Sequence, residues 1–464
     1  MKSPIPDYLK AVLESVRDQD SGAPAGYIDV LANADTSKVG VAIATVDGTV
    51  YSAGDDEVEF SIQSISKAFV YAMAICDAGL DGVLSKIGVE PSGNRFNELS
   101  LERESNRPMN PMINAGAITA HSMVVGPKAT PEERVDRILA SLSKLAGRQL
   151  SVDEDVYAAE LKDAFRNIGL AYMLKSAGIL ECEPEDAVRG YIRQCSINVN
   201  VRDLAMMGAT LANAGVHPVT GEALMSQCAV RQILSVMTTC GMYDGAGDWV
   251  SNIGIPAKSG VAGGIMGALP GQLGLATFSP RLDRRGNSVR GVAICKRLSA
   301  DMGLHMMDIS QIGKSTVRKS VLKVATAAVS DDHDHHGPIH QVPMFDLRGA
   351  VRFSGAELLT RTVARDLSQP EAHDAGSGCN AGCQAVVFSL RGAISLNSVA
   401  QRIVRENVSR LRRDGKKVFV VDPHDVLHVG DMAAEDRPVV VKTVSEATDF
   451  IAGTGCRILA NDSD

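Results

Sequence analysis

The chain has 464 residues, 45% of them hydrophobic and 22% charged, and a formal net charge of -8. This balance excludes wholesale disorder and leaves no basic footprint for nucleic acid, while the length allows about three domains. Nine cysteines, an odd number scattered along the chain, argue against a disulfide framework and for the cytoplasm.

At the start, Asp7, Glu14, Arg17 and Asp18 interrupt any apolar run, so neither export nor a membrane partner is expected. Two strand-like runs, 39–46 and 49–52, flank Asp47-Gly48, a hairpin signature. From residue 64 to about 240 the periodicity is helical, as over 131–146. The uncharged stretch 260–278 is punctuated by Gly263, Gly264, Gly267, Pro270, Gly271 and Gly274, so it reads as strand, turn and strand rather than a membrane span. Strands are expected over 264–268, 272–278 and 288–295, with turns at Pro270-Gly271 and 283–287. Their meander spacing implies an antiparallel sheet, split in sequence by a large helical insertion.

A helix is expected over 313–329, followed by 330–338, which has no apolar residue and ends in Gly337-Pro338. This run reads as an exposed linker. His333, His335, His336 and His340 lie in or beside it. Without a carboxylate or thiolate cluster they read as linker residues before metal ligands. Beyond it, strand-like 344–351, 385–390, 417–422 and 439–442 alternate with helical 356–367, 399–412 and 445–451. That alternation implies a small α/β sheet with helices on one side. Cys379 and Cys383 form a single CxxxC in a glycine-rich loop, weak evidence for zinc. The expected organisation is an α/β enzyme domain over 1–328, a linker over 329–342, a small α/β domain over 343–455 and a tail over 456–464. No metal or cofactor is expected.

Chemistry concentrates at Ser64-Ile-Ser-Lys67, which opens an apolar helical stretch. Residues i and i+3 share a helix face, so the Lys67 amine can reach the Ser64 hydroxyl. A lysine with a lowered pKa can take the serine proton, and a helix start offers free N–H groups to developing negative charge. Ser141…Lys144 and Ser320…Lys323 repeat the spacing inside stretches that read as amphipathic helices. Only Ser64 follows a hairpin at a helix start. Lys258-Ser-Gly260 comes just before the later strands, and with the Ser-x-x-Lys helix it resembles the pair in penicillin-recognising serine acylases. Glu160 and Asn167 lie two helical turns apart; Asn114, Tyr191 and Tyr243 add polar groups to the insertion. For each of these a cap, surface or half-buried role competes with a functional one.

The segments Phe60-Ser-Ile-Gln-Ser-Ile-Ser-Lys67, Asn110-Pro-Met-Ile-Asn-Ala-Gly-Ala117, Gly241-Met-Tyr-Asp244 and Pro256-Ala-Lys-Ser-Gly-Val-Ala-Gly-Gly264 resemble the serine-dependent glutaminases. The likeness spans about residues 8–308. It implies a serine β-lactamase or penicillin-binding-like fold and hydrolysis of L-glutamine to L-glutamate and ammonia without cofactor. It places substrate contacts on Ser64, Asn114, Glu160, Asn167, Tyr191, Tyr243 and Val261. It also implies a homo-oligomer, dimer or tetramer. In that reading Ser64 attacks the amide carbon, Lys67 takes its proton, and the Ser64 and Val261 amides hold the oxyanion. Tyr191 relays a proton to ammonia, Tyr243 positions the amide or water, and Lys258 gives electrostatic support.

The C-terminal pattern resembles STAS domains, with Leu396-Asn-Ser398 where that family often carries Asp-Ser. Asn397 in place of an acid argues against phosphorylation switching at Ser398. A module binding a protein partner or small ligand is the expectation, beside a structural appendage. The rivals for the enzyme are another serine acyl hydrolase, a ligand sensor that acylates without turnover, and a scaffold.

Overall fold

The computed structural model describes residues 3–92, 101–311, 316–325, 339–368 and 385–453. The chain divides into two compact units. The larger holds Pro6–Ala300 and Leu304–Met307; the smaller is built mainly from Asp308 onward.

In the larger unit β1 (Gly40–Thr45) and β2 (Val50–Gly54) form the expected hairpin about Asp47-Gly48, whose glycine takes φ +87°. Such a positive φ costs glycine nothing. The short β3 (Phe60–Ser61) pairs with β4 (Asn198–Val199), tying the serine segment to the far end of the insertion. Far along the chain come β5 (Ala257–Ser259), β6 (Gly264–Leu269) and β7 (Leu273–Phe278). The five-stranded order is β2-β1-β7-β6-β5, antiparallel at every pairing.

All residues of β1, β6 and β7 are buried, so both faces of this sheet are covered. On one face lies the helix Val201–Ala212, brought close by glycines: a Cβ on Gly274 would sit 2.1 Å from the Ala205 carbonyl oxygen. The other face corrects the sequence reading. Residues 288–295 are not a strand; Val289–Met302 is a helix, and Gly291 packs against Thr277 of β7. Ile294, Cys295, Leu298 and Met302 are buried at helical spacing, and the Ser288 hydroxyl accepts from the Gly291 amide at the helix start. The β-branched run that suggested a strand is the apolar stripe of that helix.

Between the strand groups the insertion is helical. Through its centre runs Ser66–Ala78, buried from Ser66 to Ile75, an all-round burial permitted by the uncharged run from Ala68 to Cys76. The amphipathic Pro131–Ala146 starts in a capping box between Thr130 and Glu133 and stops at Gly147 in the left-handed conformation. No helix among the described residues is long and apolar enough to cross a membrane.

The smaller unit has β8 (Thr316–Ala325) antiparallel to β9 (Ile339–Val351), then β10 (Ala385–Leu396), β11 (Lys417–Val421) and β12 (Val439–Val441), each parallel to its neighbour. Two expectations change here. Residues 316–325 form a strand rather than part of a helix, because Leu322 and Val324 alternate inward opposite Val342 and His340. Residues 339–342 belong to β9 rather than to the linker, so His340 is a strand residue and the units divide near residue 308. Ser320 and Lys323 therefore share a strand, not a helix. His333, His335, His336, Cys379 and Cys383 lie outside the described residues.

Helices also cover both faces of this sheet, not one. Ala447 and Ile451 of the helix Val444–Gly453 pack on Val387, Phe419 and Val421. The alternate residues Val386, Phe388, Val418 and Val420 are equally buried, on the face where Phe353–Ser368 and Ser398–Arg413 meet the sheet.

Candidate functional site

Ser64 lies in a single 3-10 turn, Gln63–Ile65, between β3 and the helix Ser66–Ala78. Gln63 holds φ +51°, an unusual conformation for a residue with a Cβ. Ser64 and Lys67 are both buried, at 6% and 1% exposure, although neither side chain is apolar. The Lys67 ammonium donates to Met112 O at 3.2 Å and Asn114 Oδ1 at 2.7 Å. Burial lowers its pKa from 10.5 to about 8, against the pull of Cys195 and Glu160.

Asn114 begins the helix Asn114–Met123. The preceding bend is set by Asn110, whose Oδ1 accepts from the Met112 and Ile113 amides. The Asn114 oxygen also accepts from the Tyr191 hydroxyl at 3.2 Å, and its amide nitrogen donates to Asn167 Oδ1 at 2.9 Å. Tyr191, on Pro184–Cys195, keeps its proton: burial drives the phenol pKa well above 10. Its ring centroid lies 5.9 Å from Lys67 Nζ.

Glu160, near the end of Glu154–Lys162, accepts from Gln63 Nε2 at 2.5 Å. Burial raises its pKa from 4.5 to about 7, opposed by the Gln63 hydrogen bond and by Lys67. Gln63 therefore joins the serine turn to the carboxylate.

On the opposite wall, the turn after β5 closes against the serine. A Cβ on Gly260 would lie 3.1 Å from Ile62 O and 3.4 Å from Gln63 Cβ, so only a residue without one fits here easily. Within this turn the Gly260 amide bonds Gly264 O and the Gly263 amide bonds Gly260 O; the Val261 amide takes part in neither bond. Lys258, fully buried, donates to Ser259 O at 2.7 Å and sits 4.2 Å from the Tyr243 ring centroid. Burial, then repulsion from Lys67, pushes its pKa well below 10.5. Tyr243 (φ +51°) donates to Ser259 O at 3.0 Å and is hydrogen-bonded to the Ser64 side chain. With the phenol proton engaged, its oxygen accepts from the Ser64 hydroxyl.

Of the nine residues singled out in the sequence, Val261 lies in the turn after β5 and the other eight gather in the larger unit a buried hydroxyl, two buried amines with lowered pKa, two protonated phenols, a half-buried carboxyl and two amides. Such an arrangement can activate a nucleophile without a metal. Among the described residues no three His, Cys, Asp or Glu side chains stand close enough to hold a metal ion. One participant lies outside the expected set: Gln63, the residue before the serine, whose side chain reaches Glu160. A cavity of about 620 Å³ opens beside Tyr243, bounded by Met112, Cys240 and Val250, but Ser64 does not line it.

The site residues all fall within the segment of the chain that known proteins match. The sequence model of the family described as Glutaminase matches residues 22–307. A protein named Glutaminase from Corynebacterium glutamicum is 47% identical over 424 residues, 91% of this chain and 95% of its own. Among solved structures, Mglu in its glutamate form is 42% identical with a TM-score of 0.65, covering 92% of this chain and 100% of that one. A probable glutaminase from Bacillus subtilis, complexed with 6-diazo-5-oxo-L-norleucine, is 32% identical with a TM-score of 0.60, over 66% of this chain and 98% of its own.

Proposed function

Because the chain belongs to the glutaminase family, we propose that it hydrolyses L-glutamine to L-glutamate and ammonia through a γ-glutamyl ester on Ser64. The observation that carries the serine chemistry is Lys67: a fully buried amine with pKa about 8, one turn after a buried serine, supplies a neutral base near physiological pH.

Ser64 Oγ attacks the side-chain amide carbon as its proton passes to Lys67 Nζ. The oxyanion that forms is held by the Ser64 and Val261 amides, donors worth about 2.7–4 kcal/mol each in such a site. The C–N bond then breaks. Ammonia leaves with the proton that Lys67 took from Ser64, delivered through Tyr191, while Asn114 Oδ1, accepting from both groups, holds them in place. Water next attacks the ester, Lys67 taking its proton and returning it to Ser64 Oγ as the ester bond breaks and glutamate departs. Tyr243, bonded to Ser64 and Ser259 O, positions the amide and then the water. Lys258 adds positive potential when protonated and polar support when neutral. Glu160 receives the substrate ammonium, while Asn114 and Asn167 hydrogen-bond its amino-acid end. The glutamate form of Mglu and the complex of the Bacillus subtilis protein with 6-diazo-5-oxo-L-norleucine support an amino-acid ligand of this size.

The antiparallel sheet with its helical insertion supports a serine β-lactamase-like fold for the larger unit. The smaller unit, four parallel strands and one antiparallel edge between helices, supports a STAS-like module that binds a protein partner or small ligand. In it Asn397 caps the helix Ser398–Arg413 by accepting from the Ala400 amide, a structural use of that side chain. Homo-oligomerisation rests on the family likeness, and a cytoplasmic location on cysteines scattered without a disulfide framework.

Ammonia release from glutamine by wild type and Ser64→Ala tests the reading. Turnover should fall at least about 10³-fold in the variant. Undiminished turnover would reject the serine route, and a single retained acyl group without steady ammonia would favour the sensor.

A further inference from the structure

A hydrogen-bond chain behind the serine has no place in the mechanism so far. Ser66, Gln194 and His121 are all fully buried, and all three belong to different helices. The Ser66 hydroxyl donates to Gln63 O at 2.7 Å, and the Ser66 amide donates to the same carbonyl. With its proton committed, Ser66 Oγ must accept from Gln194 Nε2 at 3.3 Å. That orientation turns Gln194 Oε1 toward His121 Nδ1, 2.8 Å away, so His121 must carry its proton on Nδ1. The His121 Nε2 atom has no hydrogen-bond partner among the described residues and lies against Gly190, where a Cβ would come within 2.2 Å. The chain therefore runs one way: His121 to Gln194 to Ser66 to the Gln63 carbonyl.

The endpoint matters because a trans peptide is planar, so fixing the Gln63 carbonyl aims the Ser64 N–H in the opposite direction. This is one of the two amides assigned to the oxyanion. Gln63 also sits at φ +51°, a conformation that persists in a residue with a Cβ only when its surroundings enforce it. Were this peptide to turn over, its carbonyl oxygen would occupy the place of the donor.

We propose that Ser66, Gln194 and His121 are positioning residues whose chain holds the Gln63–Ser64 peptide in the orientation that makes the Ser64 amide an oxyanion donor. None of the three touches the substrate. Their effect is exerted in the transition state, because the donor is strongest toward an oxyanion and weak toward a ground-state amide. The inference rests on the serine ester reading above and specifies how its oxyanion site is kept ready.

The test uses the full-length protein, with kcat and KM for glutamine and the affinity for glutamate by calorimetry. Ser66→Ala is expected to lower kcat by roughly 10–100-fold, part of the loss seen when one oxyanion donor is removed, while KM and glutamate affinity stay within about threefold. Gln194→Leu, close in volume, should act in the same direction, covering the case in which Ser66→Ala folds poorly. The double variant should lose no more than Ser66→Ala alone, since both break one chain. A kcat within about threefold of wild type in both single variants would overturn the proposal, as would losses that multiply in the double variant or weaken glutamate binding in proportion. Ser64→Ala separates the two levels. If it turns over glutamine, the ester reading fails; if it is inactive while Ser66→Ala keeps full kcat, only the positioning role fails.

Discussion

The Lys67 amine and its Asn114 partner allow the proposed base to be moved on the pH scale by one atom pair. At a pKa of about 8, roughly one molecule in ten has neutral Lys67 at pH 7; at the ordinary 10.5 it would be about one in three thousand. Asn114→Asp places a carboxylate where the amide oxygen now lies 2.7 Å from Nζ. Coulomb attraction at that distance is about 6 kcal/mol with an effective dielectric of about 20, and burying the new carboxylate offsets part of it. A close opposite charge usually leaves a rise of about 1–3 pKa units. The neutral fraction of Lys67 at pH 7 should then fall about tenfold to a thousandfold, and kcat/KM with it. Substrate contacts made by Asn114 complicate the absolute rate, so the informative quantity is the inflection. In wild type kcat/KM should climb with pH and level off above about 8; in Asn114→Asp the climb should continue to about 9–11. An unchanged inflection with a lower plateau would refute Lys67 as the titrating base.

Glu160→Gln should raise KM about 10–100-fold with a smaller change in kcat, because a charge-assisted bond to the substrate ammonium is lost. In wild type the raised pKa of Glu160, about 7, gives a definite sign: the carboxylate that binds substrate protonates as pH falls through 7, so KM should rise about tenfold per unit below it. Steady-state kinetics from pH 5.5 to about 8 would show both, and a flat KM would remove Glu160 from ammonium binding. In the sheet, Gly274→Ala sets a Cβ 2.1 Å from Ala205 O and from Ala209 N, backbone atoms that cannot swing away. It should destabilise the larger unit by about 1–3 kcal/mol or more, read from the urea midpoint at constant slope.

Much of the larger unit was legible because its signals are local. Asp47-Gly48 between strand-like runs fixes a hairpin, and the stripe from Val135 to Leu145 fixes a helix whose ends are written in Thr130 and Gly147. Where two periods compete, the sequence misleads. In 288–295 the β-branched residues suggest a strand, and only the later Leu298 and Met302 show that burial continues at helical spacing. In 316–325 the lysines and arginine hide an alternation that becomes visible once β9 is laid beside it.

The site was legible as residue types through family motifs, but its joining contacts span the fold. Gln63 meets Glu160 across 97 positions, and Ser66 meets Gln194 across 128. No spacing rule connects such pairs.

The central claim is a covalent one, and the most direct measurement looks for the bond. Wild-type protein mixed with glutamine, quenched in acid within the first turnover and digested should yield the peptide carrying Ser64 with one added γ-glutamyl group. That adduct should be hydroxylamine-labile, should vanish as substrate is exhausted and should be absent from Ser64→Ala. A γ-glutamyl group on another residue, or full turnover with none on Ser64 at any quench time, would contradict the account.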